Sequence, residues 1–171
     1  VKTITIILVA LLVCACGVHN QQSAIKHART SVAATDLLIE ATDMIVEGSL
    51  EGCDQAKARV VLEQARMSNA SNRDALDAWE AALTIYRGKK KDGEGKDEAW
   101  ADVLNSQSEW FVIAESVAGV VSDIIASIKL WGAKLPAWLD YVLAFITGLD
   151  GEDVPEPEYD WSSLPPECRP E

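Results

Sequence analysis

From Ser23 to Glu47 the chain carries neither glycine nor proline, and apolar or small residues return in alternating steps of three and four, at Ile25, Ala28, Val32, Thr35, Ile39, Thr42 and Val46. A strand repeats every two residues and a helix every 3.6, so this spacing describes one stripe of an amphipathic helix. Gly48-Ser49-Leu50-Glu51-Gly52 ends it, because glycine reaches the turn conformations that close a helix. The rhythm resumes between Cys53 and Tyr86, through Ala58, Val61, Ala65, Ser68, Asn72, Ala75, Trp79, Ala82 and Tyr86. After the glycine- and charge-rich loop RGKKKDGEGKDE it returns a third time, through Trp100, Leu104, Gln107, Phe111, Ala114, Ala118, Val121, Ile125 and Ile128. Three helices are therefore expected over about 23–48, 53–87 and 97–131.

The second and third runs each hold about 34 residues, which at ~1.5 Å per residue makes rods of roughly 50 Å. Short connections make consecutive helices antiparallel neighbours. The expected fold is thus all-α, an elongated antiparallel three-helix bundle, with the helical domain extending over 23–149. The stretch Met67-Ser68-Asn69-Ala70-Ser71-Asn72-Arg73-Asp74 is poor in helix formers, and Ser71 to Asp74 has the spacing of a capping box. A continuous second helix is still expected, since it keeps Ala65, Asn72, Trp79 and Tyr86 in phase. Asn72 and Gln107 then fall on the seam, where buried amides specify register. Beyond Trp131-Gly132, Leu135-Pro136 opens a short apolar segment read as an extra helix over 135–148; proline suits a first turn, where the backbone N–H has no intrahelical acceptor. Residues 150–171 form an acidic, proline-rich tail expected to be irregular.

At the other end of the chain, ITIILVALLV follows Lys2 and Thr3. This apolar run is far shorter than the ~20 residues needed to span a bilayer, and it reads as an export signal. It closes on Val13-Cys14-Ala15-Cys16-Gly17. The arrangement resembles that of bacterial lipoprotein precursors, whose lipobox places an aliphatic residue three before the cysteine and a small residue directly before it. Val13 and Ala15 fill those places ahead of Cys16, whereas Cys14 follows the β-branched Val13. The resemblance covers residues 1–16. It implies that residues 1–15 are a signal peptide cleaved between Ala15 and Cys16, and that the Cys16 sulfur is diacylated. A single fatty chain holds a protein only reversibly, at about 0.8 kcal/mol per buried methylene, so two or three chains on one cysteine make a durable anchor. Residues 16–22 are expected to serve as a tether. Gly17 is not the aspartate that retains such lipoproteins at the inner membrane of Gram-negative cells. The resemblance therefore implies an outer-membrane protein facing the periplasm in such a cell, and the outer face of the plasma membrane otherwise.

Loss of residues 1–15 takes Lys2 with it and leaves 14 basic side chains against 27 acidic ones, a net charge of −13. Such a surface argues against nucleic acid, which needs a basic stripe, and is repelled by anionic lipid. Lys89, Lys90 and Lys91 are the local exception. If the first helix rises from the tether and the second descends, this loop returns to the membrane, where each lysine is worth about 1 kcal/mol. Trp138, Leu139, Val142 and Phe145 cover so much of the segment 135–149 that it is a second candidate for membrane or partner contact. Besides the tether, Cys53 and Cys168 remain. An even pair in an oxidising compartment invites a disulfide, and the extended tail is long enough to carry Cys168 back to the first turn.

Motifs for chemistry are sparse. Ser23-Ala24-Ile25-Lys26 matches Ser-x-x-Lys without companion motifs, and His19 and His27 have no third ligand at metal spacing. Asp92-Gly93-Glu94 and Asp150-Gly151-Glu152-Asp153 lack the alternation of a calcium loop, and Asn69-Ala70-Ser71 is a glycosylation sequon by letter only. The expected function is that of a lipid-anchored, non-catalytic envelope lipoprotein acting as a helical spacer, adaptor or docking surface. It would use no cofactor or metal, and would partner an envelope protein. The alternative is a membrane-active or phage-encoded lipoprotein, acting in lysis, exclusion or immunity through the apolar segment 135–149.

Overall fold

A computed structural model describes residues 18–89, 93–133, 136 and 159–170. Among them the protein is all-α, with three long helices and no strand. Helix α1 spans Val18–Ser49, α2 Gly52–Gly88 and α3 Lys96–Leu130, and two single 3₁₀ turns follow at Trp161–Ser163 and Pro166–Cys168. Residues 1–15, read above as a signal peptide, most of the segment 135–149 and the first part of the tail lie outside the described residues.

The helix ends follow from local chemistry. After α1, Leu50 N–H still bonds Val46 carbonyl at 3.0 Å, and Gly52 then takes φ +61°, a left-handed backbone that side-chain-bearing residues resist. Helix α2 runs unbroken through Met67 to Asp74, so the poor helix formers there do not divide it. Asp97 and Glu98 lie in the first turn of α3 and Lys129 in its last, each matching the sign of the helix dipole. At its close, Gly132 has φ +92°, Gly132 N–H bonds Lys129 carbonyl at 3.0 Å, and Ala133 N–H reaches back to Ile128 carbonyl at 3.2 Å. These bonds satisfy carbonyls the helix end would leave open.

The chain forms two compact units, Val1–Ala33 with Ala70–Ala114, and Ala34–Asn69 with Glu115–Glu171. In the first unit, Ala24, Ile25, Ala28 and Val32 of α1 pack with Leu76, Trp79 and Leu83 of α2 and with Val103 and Trp110 of α3. The two indoles stand 5.6 Å apart by ring centroid, and Phe111 lies 5.1 Å from Trp110. Small residues on α1 accept these large rings, which is how a core of unequal side chains reaches crystal-like density.

The second unit has an aliphatic core. Ile39, Val46 and Leu50 meet Ala58, Val61, Leu62 and Ala65, together with Val120, Ile124 and Ile128, and Ala133 closes one end. Its aromatic cover comes from Trp131, Tyr159 and Trp161, which pack on it while half-buried. Thr42 sits inside this unit, its hydroxyl donating to Leu38 carbonyl one turn back at 2.7 Å, so a polar residue on the stripe leaves no group unmet.

Two sequence expectations need correction. The stretch read as a tether over 16–22 is already helical from Val18, because Gln21 is buried and hydrogen-bonded within the first unit. The stripe on α3 is also displaced near its start: Leu104 is 45% exposed, whereas Ala99, Val103, Gln107 and Trp110 are buried. Trp100 and Phe111 drew the stripe one residue aside, since large rings flanking a core cover as much of it as residues aimed straight in.

Candidate functional site

The positions singled out by sequence distribute unevenly. Ala15 and Cys16, expected to be the cleavage and lipidation site, lie outside the described residues, as do Lys90, Lys91, Trp138, Leu139, Val142 and Phe145. Lys89 is described and exposed just past the end of α2. Beside it, Gly95 takes φ +78° and lets α3 begin, with Lys96 Nζ 5.1 Å above the Tyr86 ring and Tyr86 packed at a tilt against Trp100, ring centroids 4.8 Å apart. A cation over an aromatic face is favourable by about 0.5–1 kcal/mol at an exposed site, so this lysine is held by the first unit.

Cys53 and Cys168 form a disulfide, with Cα atoms 5.0 Å apart and 115 residues of sequence between them. It ties the tail to the start of α2. The surrounding tail is ordered by its own bonds. Asp160 accepts Ser162 N–H at 2.9 Å, and hydrogen bonding by Ser162 holds the Asp160 carboxyl below its ordinary value. Arg169 donates to Leu164 carbonyl and to Ser162 carbonyl, both at 3.0 Å. Tyr159 packs at a tilt against Trp161, ring centroids 5.3 Å apart, its buried hydroxyl finding no hydrogen-bond partner among the described residues. Burial, reinforced by the charge of Asp123, pushes this phenol up to about 12.

Both seam amides are buried, Asn72 in α2 and Gln107 in α3. Gln107 Oε1 accepts from Gln21 Nε2 at 2.9 Å, and Gln21 Oε1 accepts from Trp79 Nε1 at 2.9 Å. Sequence reading missed Gln21. The signal was present, since the stripe continues backward from Ile25 to Gln21 and Val18 in steps of four and three. It also missed Asn69, which is fully buried in α2 and donates to Asp36 Oδ1 at 2.7 Å.

No acid-base or ligand set emerges from the described residues. Ser23, Lys26 and His27 are exposed on α1, and no group of three or more His, Cys, Asp or Glu there could hold a metal ion. A shallow groove of about 280 Å³ between α1 and α2 in the first unit is lined by Gln22, Ile25, Lys26, Arg29, Leu83 and Arg87, among others. Arg29 is already engaged there by Asp77 at 2.9 Å and by Glu80. Helix α3 is long and apolar enough to cross a membrane, yet 44% of its most apolar stretch is buried inside the protein.

Charge is shared unequally. Among the described residues the first unit holds six basic and eight acidic side chains and the second five basic and 11 acidic, net charges of −2 and −6. Comparison with protein-family models, with curated proteins and with solved structures finds no match for this chain.

Proposed function

We propose that this protein is a lipid-anchored, non-catalytic lipoprotein of the cell envelope whose helices act as a spacer and docking surface. The observation that carries the reading is the partition of charge along the chain. Cys16, the lipobox cysteine of this reading, stands two residues before a helix that opens the unit whose described residues carry −2, while those of the other carry −6. An anionic bilayer tolerates the first unit near its headgroups and rejects the second. In this reading α1, α2 and α3 form an antiparallel bundle, because connections of a few residues join them. Lys89 and its neighbours Lys90 and Lys91 then meet the headgroups, and the segment 135–148 forms the extra helix. The outer membrane, facing the periplasm, is the place in a Gram-negative cell.

A second reading is a membrane-active protein acting through the apolar segment 135–149, and the apolar composition of α3 is a further observation on its side. Partial burial of that helix in two packed cores favours the first reading.

Mass spectrometry of the amino-terminal peptide is the test. A diacylglyceryl group on Cys16, together with loss of envelope fractionation in Cys16→Ser, is the expected result. An unmodified peptide overturns the anchor, and dye release from vesicles by the intact protein favours the second reading.

A further inference from the structure

Among the described residues, helix α1 leaves one long apolar ridge largely exposed. Leu37 and Met44, 67% and 69% exposed, stand seven residues apart, with Ala34, Ala41 and Gly48 completing the spacing. At 3.6 residues per turn these five residues share a sector of about 80°, running for about 21 Å along the helix. All five belong to the second unit. Scattered surface leucines need no explanation, but a ridge with this repeat has the form of half a helix–helix contact. The small residues Ala34, Ala41 and Gly48, before, between and after Leu37 and Met44, leave notches into which side chains of a facing helix would seat.

Beside the ridge runs a row of carboxylates, Asp36, Glu40, Asp43 and Glu47, within a neighbouring sector of about 60°. Three of them are engaged toward α2: Asp36 by Asn69 at 2.7 Å, Asp43 by Arg66, and Glu47 by Arg59 at 3.4 Å. Glu40 is exposed and makes no ion pair among the described residues. The row lies in a unit whose described residues carry −6. Charge therefore selects among the occupants an apolar ridge could take. An anionic membrane surface is repelled by this face, and a second copy would set one carboxylate row and one acidic unit against another.

We infer that the ridge Ala34, Leu37, Ala41, Met44, Gly48 is a docking site for a cationic amphipathic helix of an envelope protein. The partner helix buries leucine-like side chains against Leu37 and Met44 and places lysine or arginine opposite Glu40. The inference rests on the docking role proposed above and is independent of the acyl anchor.

The test uses the Cys16→Ser protein with its disulfide intact and two fluorescein-labelled peptides of 18 or so residues, one with leucine and lysine at helical spacing and one with the same composition scrambled. The patterned peptide is expected to bind at least about tenfold more tightly than the scrambled one, and L37E/M44E is expected to remove that difference. Leu130→Glu, at an exposed leucine of α3, should leave it unchanged, and Glu40→Lys should weaken the patterned peptide while circular dichroism stays that of the parent. Equal binding of the two peptides, or insensitivity to L37E/M44E, overturns the inference. So does a dimer of the parent, seen by sedimentation, that L37E/M44E dissociates, since the ridge would then belong to a second copy. Fractionation of the lipidated chain reports on the anchor separately.

Discussion

Trp79 and Gln21, 58 residues apart in sequence, are joined by a buried 2.9 Å hydrogen bond from the indole nitrogen to the amide oxygen, and the same amide donates onward to Gln107. A donor in an apolar core costs more when unmet than a formed bond returns, so this chain of three side chains discriminates strongly between correct and shifted packing.

Gln21→Leu strands the Trp79 donor and the Gln107 acceptor together, and should lower unfolding free energy by roughly 2–3 kcal/mol in urea titration. Combining it with Gln107→Leu should cost less than the sum of the two single changes, because each alone leaves the other's amide unpaired. A strictly additive pair would show that the contact contributes nothing specific.

Reduction of Cys53–Cys168, or Cys53→Ser, opens a loop of 115 residues. The chain-entropy account assigns about 4–5 kcal/mol to a closure of this size. The expected readout is a lower melting temperature in reductant and rapid proteolysis near 159–170, with helical content retained below the transition. An unchanged melting temperature on complete reduction, confirmed by thiol titration, would mean that tail packing alone holds the second unit.

Tyr159 should appear in alkali. Its folded-state value of about 12 lies above the ordinary 10. The folded state therefore holds the phenolic proton more tightly than the unfolded one. Stability from this group is fully present below pH 10 and is lost as the pH rises from about 10 to about 12. Stopped-flow absorbance at 295 nm should show one tyrosine ionising late, and Tyr159→Phe should remove it. Three tyrosines ionising together near the ordinary value would contradict the burial.

Gly132→Ala forces a side chain onto φ +92° where space is otherwise open. The expected cost is about 1 kcal/mol, read as a shift in denaturation midpoint without a change in slope. Gly48→Ala, inside α1 and free of such a constraint, should be neutral or slightly stabilising.

Helix number and approximate extent were legible in the sequence because spacing is a property of the chain itself: the alternating threes and fours through Ile25, Val32, Ile39 and Val46 place those residues on one face whatever they pack against. All four are buried. The buried seam positions of Asn72 and Gln107 follow from the same phase, and the unbroken course of α2 accords with it. Gln21 and Leu104 show where this reasoning stops. Gln21 looked like tether because a polar residue has no apolar signature, and its burial depends on Trp79 and Gln107 arriving from two other helices. Leu104 looked like core, but tertiary packing turned Val103 inward instead. Of the docking ridge, the residues were visible and their significance was not, since α1 carries a second repeat through Leu37 and Met44 that only packing leaves exposed.

The chain alone thus determined its helices, its oxidised cysteine pair as a candidate and its acidic character, all of which depend on local order and composition. Tertiary structure decided which amides are satisfied, which of two stripes on α1 faces protein, and that the described residues of one unit are more acidic than those of the other. Each of these is a relation between distant segments, and no local pattern encodes the partner that completes it.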